Sequence, residues 1–156
     1  MSKPQSAGLD AELAERVEAA NDALEKLSAQ YRDWALNDVA QMREAIAQIA
    51  PARARGDGNA ERAAIYKVYD IGHNAKGQGA SFGYDLVTKI GASLCALLAE
   101  AETATPELLA AAAAHAEAMD TVLNENMKGA QGERGVMLFR RFGVNPPAEE
   151  PDDGEN

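Results

Sequence analysis

The stretch Tyr69-Asp70-Ile71-Gly72-His73-Asn74-Ala75-Lys76-Gly77-Gln78-Gly79-Ala80-Ser81-Phe82-Gly83 decides the reading of this chain. With Ile65 and Val68 before it, Gly72, Ala75, Gly79 and Phe82 fall at spacings that alternate three and four. That is one buried face of an α-helix, with small residues at its centre and Gly83 as its stop. Each glycine inside a helix costs about 0.8–1 kcal/mol relative to Ala, so Gly72, Gly77 and Gly79 together cost on the order of 2–3 kcal/mol. Gly72 and Gly79 lie on the apolar stripe, where a missing side chain lets another helix come close. Gly77 does not. It belongs to the row Tyr66, Tyr69, Asp70, His73, Lys76 and Ala80, which flanks the core and faces water.

The same periodicity runs outward in both directions. Leu13, Val17, Ala20, Leu24, Leu27, Tyr31 and Trp34 form an a/d stripe over three heptads. Val39, Met42, Ile46 and Ile49 carry it on to Pro51 after a slip of phase, which predicts a break near Trp34–Asp38. Two readings of the first stripe stand: a helix packed on its own bundle, or a projecting coiled-coil arm that dimerises. Residues 51–59 (PARARGDGN) read as a loop, with Pro51 ending the helix and the Gly-Asp-Gly-Asn turn leading to a second helix near Ala60. A third helix spans Tyr84–Glu100 with Leu86, Ile90, Leu94 and Leu97 inward. Thr105-Pro106-Glu107 combines a capping hydroxyl, Pro in the first turn and an acid beside the helix N-terminus. It starts a fourth helix running to about Lys128. Glu133–Phe142 forms a last short helix, and the Pro-rich acidic tail 145–156 reads as disordered.

The fold class is therefore all-α: an up-and-down four-helix bundle with an extended N-terminal helix. The expected organisation is an extension over 1–34, the bundle over 35–128, a short helix within 129–144 and the tail. The 156 residues carry a net charge of −10, which argues against nucleic acid as a partner. The charge is uneven: 53–100 holds 6 basic and 5 acidic side chains, whereas both flanks are acidic. No apolar run is long enough to cross a membrane, and Met1–Ser6 lacks a signal-like apolar core. The expected compartment is the cytosol. One cysteine, Cys95, and two histidines, His73 and His115, leave no material for a disulfide framework or a metal knuckle. Cys95 reads as a small core residue, His115 as a packed or surface residue, and Tyr31, Trp34 and Tyr66 as packing. Arg140-Arg141 reads as a solvated face.

The chemistry concentrates at His73. Lys76 at i+3 and Gly77 at i+4 are its neighbours one turn on. A surface His with a Lys three residues later is common and by itself means nothing. The costly Gly77 is what separates this pair from that background, because it removes the side chain that would crowd the ring. An exposed imidazole, a cation able to neutralise phosphoryl oxygens and a bare patch for a large partner suit in-line phosphoryl transfer.

The run His73-Asn74-Ala75-Lys76-Gly77-Gln78-Gly79-Ala80-Ser81-Phe82-Gly83 resembles the H-x-x-K-G-x-x-x-x-x-G signature of histidine phosphotransfer (HPt) domains. The resemblance covers about residues 35–128 and includes Ile90-Gly91-Ala92-Ser93-Leu94-Cys95 on the following helix. It implies a four-helix bundle that relays phosphoryl groups between aspartates of response-regulator receiver domains, fed by a hybrid histidine kinase. His73 would be the phosphoacceptor, Lys76 the charge stabiliser and Gly77 the residue giving receivers access. Such a chain is a phosphocarrier rather than an enzyme. It holds no cofactor, and the Mg²⁺ is expected in the partner receiver. Many members carry a polar residue, often Gln, about 22 positions after the His, where this chain has Cys95. Gln78 and Ser81 are the nearby alternatives for supporting a phosphohistidine. A rival reading from another class is a non-catalytic helical adaptor or coiled-coil dimer that docks on signalling partners, with the 13–34 heptads as its best feature. A third, a degenerate bundle that only docks on kinases, is opposed by the intact His73.

Overall fold

The computed structural model describes residues 3–148, and every regular element among them is helical. Helix α1 spans Lys3–Ala54, α2 Gly58–Gln78, α3 Asp85–Glu100, α4 Pro106–Asn124 and α5 Glu133–Phe142, with a single 3-10 turn at Ala80–Phe82 between α2 and α3. The turn chemistry read from the sequence sets these boundaries. Asp57 caps α2 by accepting from the Ala60 N–H (3.0 Å), and Thr105 caps α4 by accepting from the Leu108 N–H (3.1 Å). Gly83 closes the 3-10 turn with φ +92°, and Gly143 ends α5 with φ +69°. Both are left-handed conformations that glycine adopts without a Cβ clash.

The first four helices pack in a ring, α1 against α2 and α4, and α3 against α2 and α4. Cross-helix contacts give the directions. Tyr31 stacks on Phe82, and Arg32 donates to the Leu123 carbonyl (2.6 Å) while Arg43 lies near Glu117 and Asp120. A would-be Cβ on Gly72 meets Leu94, and one on Gly79 meets Thr88. Each pair thus runs antiparallel, as an up-and-down bundle requires. The core between them is aliphatic, with Met42, Val68, Ile90, Leu94, Met119, Val122 and Leu123 essentially inaccessible to water. Removing such side chains from water, at about 1.5–3 kcal/mol each, is what offsets the entropy of ordering the helices. Helix α5 lies across the end of α4 and buries Leu138, with Val144 tucked behind it.

Four expectations change. No break occurs near Trp34–Asp38; α1 is continuous. A straight helix at 3.6 residues per turn drifts against a seven-residue repeat by about 20° per heptad, so the slip of phase needs no kink. The buried face accordingly moves to Tyr31, Ala35, Val39 and Met42, leaving Trp34 66% exposed rather than packed. Pro51 does not end the helix. Its ring forbids its own N–H bond, but its carbonyl still accepts from the Arg55 N–H (3.1 Å), and α1 runs to Ala54. Helix α4 stops at Asn124, where Asn126 takes φ +52°.

Packing of α1 on the bundle begins at Ser28, whose hydroxyl donates to the Phe82 carbonyl (3.0 Å), and at Tyr31. Before that, residues 7–27 are exposed on every side, so the N-terminal stripe projects instead of lying on its own bundle. Of the tail expected to be disordered, residues 149–156 lie outside the described residues. Asn145 is tied down, its N–H donating to Ser93 Oγ (2.9 Å).

Candidate functional site

Helix α2 divides its residues between two faces. Ala64, Val68, Ile71 and Gly72 are buried, while Tyr66, Tyr69, Asp70, His73, Lys76 and Gly77 are exposed, as is Ala80 in the 3-10 turn beyond its end, as the row was read. His73 therefore projects from the C-terminal third of a helix whose opposite side is anchored in the core. Its ring lies over that of Tyr69, one turn back, with centroids 6.1 Å apart and planes 13° from parallel. Tyr69 thus flanks the imidazole on one side like a shelf, and His73 is otherwise exposed. No described side chain hydrogen-bonds to the ring.

The glycines separate cleanly by cause. A Cβ on Gly79 would stand 2.8 Å from the Thr88 backbone N, and one on Gly72 3.1 Å from Leu94 Cδ2. Gly91 of α3 is tighter still, 2.6 Å from the backbone N of Lys76 and 2.7 Å from the Gly72 carbonyl. At that crossing α3 presses backbone to backbone against the turn that carries His73 and Lys76. A Cβ on Gly77 would meet nothing within 4 Å. Packing accounts for Gly72, Gly79 and Gly91, whereas Gly77 spends helix propensity for no contact inside the molecule.

Charge is arranged unevenly around the row. Lys76 stands on the side toward α3. On the side toward α1, Asp38 faces Asp70, and burial together with the Asp70 charge raises the Asp38 carboxyl above the usual range. Asp38, Asn74, Gln78 and Tyr31 line a small cavity of about 20 Å³ there, beside Ile71 and Ala75. It has no room for a ligand and reads as a packing gap. Gln78 is thus turned toward α1, and Ser81 lines the crook where the arm leaves the bundle.

Cys95 lies beneath the row, not on it. Its Sγ sits 3.9 Å from the Tyr69 carbonyl and packs against Gly72, and burial pushes the thiol up despite the opposing Lys76 charge. It is an inert core thiol. The second histidine is buried between α3 and α4, with both ring nitrogens engaged. Nδ1 of His115 is 2.7 Å from the Ala111 carbonyl, which can only accept, so Nδ1 carries the proton. Nε2 then accepts from the Ser93 hydroxyl (2.7 Å), and Ser93 in turn accepts from the Asn145 N–H. Burial lowers the pKa of His115, opposed by the Ala111 bond.

Of the residues singled out from the sequence, His73, Lys76 and Gly77 share one exposed patch. Tyr66 is 69% exposed on the same row rather than packed. Sequence reasoning did not pick out Tyr69 as the shelf, although its i,i+4 spacing to His73 was visible. Nor did it pick out Gly91 as the support under Lys76, which no local spacing could reveal. No cluster of three or more metal-ligating side chains occurs among the described residues, and no described helix is long and apolar enough to cross a membrane. Family models, curated proteins and solved structures, compared with this chain, give no match.

Proposed function

We propose that the chain is a histidine phosphocarrier of the HPt kind, relaying phosphoryl groups between receiver aspartates through His73. The observation that carries this reading is Gly77, a glycine in the last turn of α2 with open space around it, one turn from an exposed imidazole. A partner's surface is the simplest reason to keep that space clear. In the forward step a lone pair of the neutral imidazole attacks the phosphorus of an aspartyl phosphate. The N–P bond forms as the P–O bond to the carboxylate breaks, and the ring's other nitrogen sheds its proton to water. Lys76 offsets charge on the phosphoryl oxygens, and Tyr69 holds the ring for in-line approach. Transfer to a second aspartate reverses these events. The Mg²⁺ such chemistry uses would be held by receiver carboxylates. The bundle and its cytoplasmic setting are part of this proposal.

Labelled phosphoryl transfer from a phosphorylated receiver domain tests it. Wild type should take up label that is lost in acid and survives base, as a phosphoramidate does, and His73→Gln should take up none while keeping its helical signal. Undiminished labelling of that variant would sink the assignment. The exposed Leu stripe of α1 favours a second reading, a docking adaptor without phosphoryl chemistry. In that case partner binding persists in His73→Gln and no label is taken up by either protein.

A further inference from the structure

The strongest unexplained feature of the molecule is the first half of α1. Leu9, Leu13, Val17, Leu24 and Leu27 are 60, 56, 58, 62 and 48% exposed, on a stretch of helix that is exposed throughout before Ser28. Water does not favour five aliphatic side chains in one stripe. We infer that a second copy of this chain covers it, with the two arms antiparallel.

Three observations select that occupant and that direction. First, the face of α1 that bears the stripe is the face the protein's own bundle occupies from Ser28 and Tyr31 onward. A parallel partner helix would run into that bundle. In an antiparallel pair the open arms, 7–27, cover each other, and only the first turns of α1, residues 3–8, extend past Ser28 alongside the other copy's bundle. Centring the pair between Glu18 and Ala19 sets Leu13 against Leu24 and Val17 against Ala20, each layer occurring twice. Leu9 then reaches Leu27 and Ser28 of the other copy. There the crook between arm and bundle forms a cleft of about 390 Å³, floored by Phe82 and flanked by Leu24 and Lys128.

Second, the positions beside the seam are Ala14, Arg16, Asn21, Ala23 and Ser28. They are small or uncharged except for Arg16, which meets Ala23 of the other copy, and Asp10 joins them, falling beside Leu27 and Ser28 of the other copy. The acids Glu12, Glu15, Glu18, Asp22 and Glu25 all point away from the seam, so two acidic chains can meet without like charges in contact. Third, the area suffices. At roughly 100 Å² for each half-exposed aliphatic side chain, the pair removes about 1,000 Å² from water, the lower bound for a specific interface.

The test uses the full chain in sedimentation and small-angle scattering. A dimer of twice the 16.5 kDa chain is expected. Its longest dimension should be about 105 Å, against about 78 Å for α1 alone, because the two helices overlap only over residues 3–34. Leu13→Glu with Leu24→Glu should weaken association by about a thousandfold or more. The helical signal should persist, since both residues are outside the core. Wild type that stays monomeric at about 100 µM would overturn the inference and assign the stripe to a different protein. A dimer no longer than about 80 Å would be parallel and would overturn it too. So would a doubly substituted chain that dimerises as well as wild type.

Discussion

The outer face of α2 and the seam between α3 and α4 each hold one of the chain's two histidines, and the fold treats them oppositely. His115 is 2% exposed, with a partner on each nitrogen, and ties the C-terminal segment through Ser93 to Asn145. His73 has one ring beneath it and water above. A histidine whose every lone pair and proton is engaged is a structural part, because any change of state costs the fold. One that the fold only orients is free to react. The residue type says nothing about which it is; the neighbours decide.

The largest expected contrast lies in stability. His115→Ala should lower unfolding free energy by about 2–4 kcal/mol, through the cavity and the orphaned Ser93 hydroxyl. His73→Gln should stay within about 0.5 kcal/mol of wild type. Urea melts of the two variants measure this, and equal losses would erase the distinction.

The buried ring should also leave a mark on pH dependence. Its folded pKa lies below the ordinary 6.5, so below that pH the unfolded chain binds more protons than the folded one. The contribution of His115 is complete above about pH 6.5 and declines as pH falls toward the lowered folded value. Between pH 7 and 5, wild type should therefore lose more stability than His115→Gln, in which the titrating ring is gone. Parallel losses would mean that the ring is not held neutral.

A smaller effect, of opposite sign, is expected at Gly77. Gly77→Ala should add less than the helix-interior figure of about 0.8–1 kcal/mol, because nothing stands where the Cβ would go but the position lies in the last turn of α2. If the patch receives a receiver domain, the same variant should transfer more slowly and Gly77→Gln more slowly still. A more stable and equally active Gly77→Ala would remove the access argument. Smallest in stability is Lys76→Ala, expected within about 0.5 kcal/mol, yet it should slow labelling and shorten the life of the phosphorylated protein. Unchanged rates would make Lys76 ordinary surface.

Much of the architecture was legible in the spacing of apolar residues, because a helix buried on one side must repeat its apolar positions every three or four. Thr105-Pro106 then marked the start of α4, since capping chemistry is local, whereas Gly83, read as the stop of the second helix, closes the 3-10 turn after it. What periodicity could not say is what covers a stripe. Leu13 to Leu27 and Val39 to Ile49 belong to one helix and look alike as sequence, yet only the second half finds a partner within the chain. Trp34 was misplaced because seven-residue counting drifts from the helix's own period. At the site, the row of His73, Lys76 and Gly77 was readable because all three lie on one helix. The Gly91 crossing and the Ser93–His115 link join residues distant in sequence, and no local pattern encodes them.

The unbroken course of α1 has a mechanical meaning. Between Leu9 and Ala50 there is neither glycine nor proline, and from Ser28 on the helix is gripped by α2 and α4. The arm is therefore a shaft keyed to the bundle rather than a tether. Whatever clamps its tip fixes the compass bearing of the α2 outer face, and torque applied at Leu9 turns His73 with it.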